Sequence, residues 1–163
     1  MGRVAPATLG TMTMNTDRNG LRRLATALAE RGRLEDAIAI YDQLVQADPN
    51  DASSTLRLAG LQWRVGNRDE AFRLLQRLAA LFMAQGRHAR VDAVLAVARG
   101  KPPYKPEVLE WCAHTALLNG SFTRAEADYR DLAARYAELG ATGDTERIRR
   151  LLRQLDPPAS DVI

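Results

Sequence analysis

Cysteine is almost absent: Cys112 is the only one in 163 residues. No intramolecular disulfide can form within the chain, so the fold does not require an oxidising compartment. Lysine is nearly as scarce, with Lys101 and Lys105 alone beside an abundance of arginine. Together with frequent Ala and Gly, that skew is expected of a GC-rich bacterial coding background. Aromatics make up only 6% of the chain. β-branched residues are few as well, which argues against a sheet. No apolar run approaches the length needed to span a bilayer as a helix, so no membrane insertion is expected. Residues 1–17 lack the apolar centre of a secretory signal, and the cytoplasm is the expected location. An excess of one charge is missing too. The net charge is +3, and Arg is dispersed among acids, as in Arg33-Leu34-Glu35-Asp36 and Arg68-Asp69-Glu70. That pattern describes a solvated surface of mixed sign and argues against a nucleic-acid footprint.

Recognisable chemistry is also lacking. There is no glycine-rich phosphate loop, no G-x-S-x-G and no H-E-x-x-H. The only histidines, His88 and His114, fall in different predicted helices and in no metal-binding motif. No metal, no cofactor and no catalytic residue is therefore expected. Cys112 and His114 stand two apart, but residues at that spacing on a helix point in different directions. Cys112 instead continues an apolar stripe with Leu109 and Ala116 and is expected in the core. The paired acids Glu35-Asp36 and Asp69-Glu70 fall at helix starts, where they favour the positive end of the helix dipole.

What is present is helix. Hydrophobic residues are 46% of the chain, carried largely by Ala and Leu, both strong helix formers. Apolar periodicity broken at Gly and Pro predicts helices at 18–31, 34–47, 52–65, 68–85, 88–99, 106–119, 122–139 and 143–155. Asn67 and Ser121 are expected N-caps, Asp144 is a candidate cap for the last helix, and Pro106 suits a first turn. The flanks, 1–17 and 158–163, are expected to be disordered tails, leaving 18–157 as a helical domain.

The chain also repeats itself. Leu21, Leu24, Ala25, Leu28, Gly32, Ala37, Tyr41 and Pro49 return 54 positions later as Leu75, Leu78, Ala79, Phe82, Gly86, Val91, Leu95 and Pro103. A third copy reads Tyr129, Leu132, Ala133, Tyr136, Gly140, Thr145, Arg149 and Pro157, departing from the apolar pattern at Thr145 and Arg149. Gly66 and Gly120, with Ala71 and Ala125, form a second series. A small residue permits close helix approach and its large neighbour fills the gap beside it. The glycines permit tight turns.

Within 34 residues, this order of large, Leu, small and aromatic positions, a turn, and a closing Pro resembles the tetratricopeptide repeat. Residues 18–51 and 126–159 fit best, 52–85 and 106–139 less well, and the resemblance covers 18–157. The 54-residue unit departs from the family by containing three helices. The resemblance implies an all-α fold of right-handed stacked antiparallel helical hairpins, an α-solenoid of about eight helices. It also implies a non-catalytic protein-interaction role, as adaptor, scaffold or assembly subunit, for a partner of unspecified identity.

In that family the first helix of each hairpin lines a groove. Carried over, the partner-binding residues are Arg22 and Thr26 on one helix, Arg57, Gly60, Trp63 and Arg64 on another, and Glu110 and His114 on a third. Trp63 beside Arg64 is the most suggestive pair, since Trp and Arg dominate hot spots; the alternative for Trp63 is packing against the next hairpin. A family variant clamps C-terminal carboxylates with Lys and Asn; here Arg22, Thr26 and Arg57 occupy the equivalent positions, which disfavours that clamp. Trp111, among apolar residues, is expected in the core. The alternative function is regulatory, with Arg147, Arg149, Arg150 and Arg153 contacting nucleic acid; against it, no aromatics are interleaved for base stacking. Because no polar capping helix follows the last hairpin, self-association through an uncapped end is also expected.

Overall fold

The computed structural model describes residues 7–100 and 105–155. Among these there are eight α-helices and no strand: α1 (Ala7–Glu30), α2 (Leu34–Ala47), α3 (Ala52–Arg64), α4 (Arg68–Ala84), α5 (His88–Arg99), α6 (Pro106–Leu118), α7 (Phe122–Glu138) and α8 (Thr142–Leu155). The chain is all-α, built of short-linked helical hairpins. Pro103, Pro157 and the expected C-terminal tail 158–163 lie outside the described residues.

Seven of the eight helices begin where periodicity places them, to within one residue. The exception is α1, which starts at Ala7 rather than 18, so residues 7–17, assigned above to a disordered tail, are helical. After Pro6 nothing up to Glu30 forbids helix: the segment has no further proline, and single glycines are tolerated at a modest cost.

Three-residue turns join five of the helix pairs, and Gly32, Gly66, Gly86, Gly120 and Gly140 occupy their centres with φ between 65° and 87°. Each uses the same backbone device. At the first, the Gly32 N–H donates to Ala29 O and the Arg33 N–H donates to Leu28 O; at the last, Gly140 and Ala141 do the same to Ala137 and Tyr136. A left-handed residue after the helix thereby satisfies its last carbonyls and reverses the chain. Pro106 opens α6 within its first turn, as expected.

Two of the expected caps are used differently. Ser121 sits at the N-cap of α7 but makes no side-chain cap bond; its hydroxyl donates to Asp92 instead, at 3.0 Å. The Asp92 carboxylate oxygen accepts from the hydroxyl and holds it in that orientation. Asp144 lies within the first turn of α8 and not ahead of it.

The chain divides into two compact units, residues 1–78 and 79–163, the division falling within α4. In the first, α2 packs against both α1 and α3. Ala25 and Ala37 are fully buried, and Tyr41, Leu44, Val45 and Leu58 are buried with them. The small residues let the helices approach and the large ones fill the space between them. In the second unit α6 packs on α5 and α7, and α7 on α8. Leu109, Ala113, Tyr129, Leu132, Ala133 and Ile148 form its core, with Leu151, Leu152 and Leu155 of α8 packed half-buried against it. Thr145, which breaks the apolar repeat, is buried nonetheless because its hydroxyl donates to Ala141 O at 2.9 Å.

Candidate functional site

Helix α3 has two faces. One is inward: Ser54, Thr55, Leu58, Ala59 and Leu61 are buried. The other carries Ser53, Leu56, Arg57, Gly60 and Arg64, recurring at three- and four-residue spacing and therefore aligned along one side of the helix. Leu56 is 41% exposed. Arg57 and Arg64 are exposed and make no ion pair among the described residues. Gly60 is half-buried, and a Cβ built there meets nothing within 4 Å. Trp63 is half-buried at the edge of the stripe.

The cation over Trp63 is not its sequence neighbour. The Arg68 guanidinium sits 5.5 Å from the ring centroid, whereas Arg64 points to solvent. Residues 63 and 64 are adjacent on a helix and diverge, while the reversal at Gly66 brings Arg68 back over residue 63. Attending to the turn, rather than to adjacency, finds this pair in the sequence.

The start of α3 is held by a polar clasp. Asp51 is buried at the N-cap, where its carboxylate accepts from the Ser54 N–H at 3.1 Å and from the Ser54 hydroxyl at 2.6 Å. Arg22 of α1 completes it, donating from Nη2 to Asp51 at 2.6 Å and from Nε to Ser54 Oγ at 3.3 Å. Arg18 reaches Asp48 at 3.3 Å one helical turn away. Burial pushes the Asp51 carboxyl up, but the hydrogen bonds from Arg22 and Ser54 outweigh it and hold the group below the usual carboxylate range. Thr26 is engaged as well: its hydroxyl donates to Arg22 O and shares a 2.9 Å hydrogen bond with the Tyr41 hydroxyl. Arg22 and Thr26 thus tie α1 to α3 and α2. The Asp51-x-x-Ser54 spacing of a helix cap is the sequence signal for this clasp.

Glu110 is likewise occupied. Both its oxygens accept from Arg147 of α8, at 2.6 and 3.1 Å, and the Tyr136 hydroxyl donates to it at 3.4 Å. The Arg147 hydrogen bonds keep the Glu110 carboxyl below its ordinary range despite partial burial, and the same pairing raises Arg147. His114 is exposed on α6.

Cys112, two residues away from His114, is fully buried. Burial pushes its thiol up to about 12, against the opposing effect of Arg99. The thiol is therefore not a nucleophile at neutral pH. Trp111, expected in the core, is half-buried. On α8, Arg149, Arg150 and Arg153 are exposed, and Arg153 pairs with Glu146 at 2.8 Å. Among the described residues no group of three or more His, Cys, Asp or Glu is placed to hold a metal ion, and no helix is long and apolar enough to cross a membrane.

Of the eight residues expected to contact a partner, then, Arg57, Gly60, Trp63 and Arg64 gather on α3. Arg22, Thr26 and Glu110 are engaged inside the fold, and His114 stands alone in the second unit.

No curated protein matches the chain. Among solved structures it is similar to the type III secretion translocator chaperone SycD of Yersinia enterocolitica, at 18% identity over 94% of this chain and 87% of that one, with a TM-score of 0.39. The same chaperone in complex with a peptide of the translocator YopD gives 19% identity, 95% and 97% coverage and a TM-score of 0.40. TTC0263, a tetratricopeptide protein of Thermus thermophilus, gives 17% identity, 88% and 94% coverage and a TM-score of 0.36. Residues 28–90, from the end of α1 into α5, match the family model of the tetratricopeptide repeat, so that this part of the chain is tetratricopeptide-repeat-like.

Proposed function

We propose that this chain is a non-catalytic adaptor or scaffold that binds a partner protein along the exposed stripe of α3. The observation that carries the reading is the contrast between helices. Arg22 and Thr26 on α1 and Glu110 on α6 are engaged by Asp51, Tyr41 and Arg147, leaving only His114 of the α6 pair, whereas on α3 an exposed Leu56, an open Gly60 and two unpaired arginines are left uncovered together. Apolar surface beside Arg and Trp is the usual composition of a binding hot spot. The tetratricopeptide match over residues 28–90 includes all of α3. A non-catalytic role is supported by the buried, high-pKa thiol of Cys112 and by the internal pairing of Glu110. With no disulfide possible, the cytoplasm suits the chain.

Quantitative affinity capture from the native lysate tests this. The reading expects a discrete protein that is retained by the intact chain and by Arg149→Glu/Arg150→Glu, and lost with Gly60→Arg. Retention by Gly60→Arg with loss in the α8 variant would move the binding surface to α8.

A further inference from the structure

The free charge in the first unit is unevenly placed. Residues 17–51 contain five basic and seven acidic residues; residues 52–78 contain five basic and only two acidic. Pairing sharpens the contrast. Arg18, Arg22 and Arg33 are neutralised by Asp48, Asp51 and Asp36. On α3 neither Arg57 nor Arg64 is matched by an acid. Asp51, the acid at the N-cap of α3, is held by Arg22 of α1 and is buried.

Gly60 adds a second observation. It lies in the interior of α3, where glycine costs about 0.5–1 kcal/mol relative to alanine. Nothing inside the fold requires it, because a Cβ there meets open space. A missing side chain between Leu56 and Trp63 lets another chain's backbone come close to the helix. Arg57 and Arg64 are two turns apart, about 10 Å along the axis, on either side of that gap.

Resting on the reading of α3 as the docking surface, we propose that the partner segment is acidic and apolar-anchored. Its carboxylates meet Arg57 and Arg64, and its apolar side chains cover Leu56 and the exposed edge of Trp63 across Gly60. Ionised carboxylates form the strong, bidentate hydrogen bonds that a guanidinium favours. A nucleic acid fits less well: Arg68 already covers one face of the half-buried Trp63 ring, and two arginines make a short phosphate track.

Selection of a phage-displayed library of random peptides of about twelve residues on the full chain, in parallel with Arg57→Glu/Arg64→Glu, tests the proposal. Both substitutions are at exposed positions and leave the core intact. The expected result is enrichment of net-negative peptides carrying Leu, Ile or aromatic residues, and loss of that acidity on the charge-reversed chain. An enriched peptide, fluorescently labelled, is expected to bind the unaltered chain at least about tenfold more tightly than either the reversed chain or its own Asn/Gln counterpart. Enrichment of neutral or basic peptides, or the same peptides on both chains, would overturn the acidic partner and leave the docking module standing. No enrichment on the unaltered chain would overturn both. A labelled oligouridine of the same length that binds more tightly than the peptides and is released by the same reversal would replace the peptide with nucleic acid.

Discussion

Asp51 shows how one side chain serves a helix end and a helix–helix contact together. It caps α3 through Ser54 and receives Arg22 from α1. Asp51→Ala is expected to cost about 2 kcal/mol at neutral pH, combining a lost cap with a lost charge-assisted contact. Arg22 is about a third exposed and regains water, which limits the loss. The folded carboxyl is held below its ordinary value of 3.8. Its contribution is therefore complete above that value and declines as the pH falls through the depressed folded value. Urea denaturation of both chains across pH checks this: the stability gap should be constant near neutrality and narrow in acid. A gap that widens in acid would show that the carboxylate is not stabilised in the folded chain. Trp63 and Arg64 illustrate the limit of reading neighbours in a sequence. Spacing marks both residues as candidates, yet which cation covers the indole depends on the turn at Gly66.

At the scale of elements, two glycines, one inside α3 and one in the turn that follows it, have opposite expected effects. Gly60 is helical with open space around it, so Gly60→Ala should raise stability by about 0.5–1 kcal/mol. Gly66 has open space too, but its φ is +87°, so Gly66→Ala should lower stability by about 1 kcal/mol through backbone strain alone. Paired thermal melts decide it, and equal shifts of one sign would contradict the assignment of these residues to helix and turn.

Ion pairs between elements differ in the same way. Arg99 of α5 donates to Asp128 of α7 at 2.7 and 2.9 Å, and Asp128 is buried. Arg99→Ala strands that carboxylate and should cost about 3 kcal/mol. Arg73→Ala breaks a surface pair with Glu70 and should cost under about 1 kcal/mol. Denaturant midpoints compare the two directly. The helices themselves were legible because Gly and Pro punctuate a strong apolar period. The N-terminal extension of α1 was not, since residues 7–17 are small and polar and carry no period. The engagement of Arg22, Thr26 and Glu110 was not legible either: their partners lie between 15 and 37 residues away, beyond the reach of local spacing.

At the scale of the whole molecule, Arg22, Thr26 and Glu110 among the polar candidates hold helices together, and Arg57, Arg64 and His114 face outward. The outward set concentrates on α3 in the first unit, with separate arginines on α8 in the second. The family resemblance names the first helix of each hairpin as a binding element without saying which of these helices is free to bind. Contacts within the fold engage Arg22 and Thr26 of α1 and Glu110 of α6, and they leave a lone His114 on α6 and the whole stripe of α3. The account therefore stands on α3 as the partner-binding helix. Site-specific photo-cross-linking measures this most directly, with a benzophenone side chain placed in turn at Leu56, at Glu35 on α2 and at Arg149 on α8, in cells expressing the intact chain. The account predicts a discrete cross-linked protein from position 56 and none from 35 or 149. Cross-linking from 149 with none from 56 would contradict it.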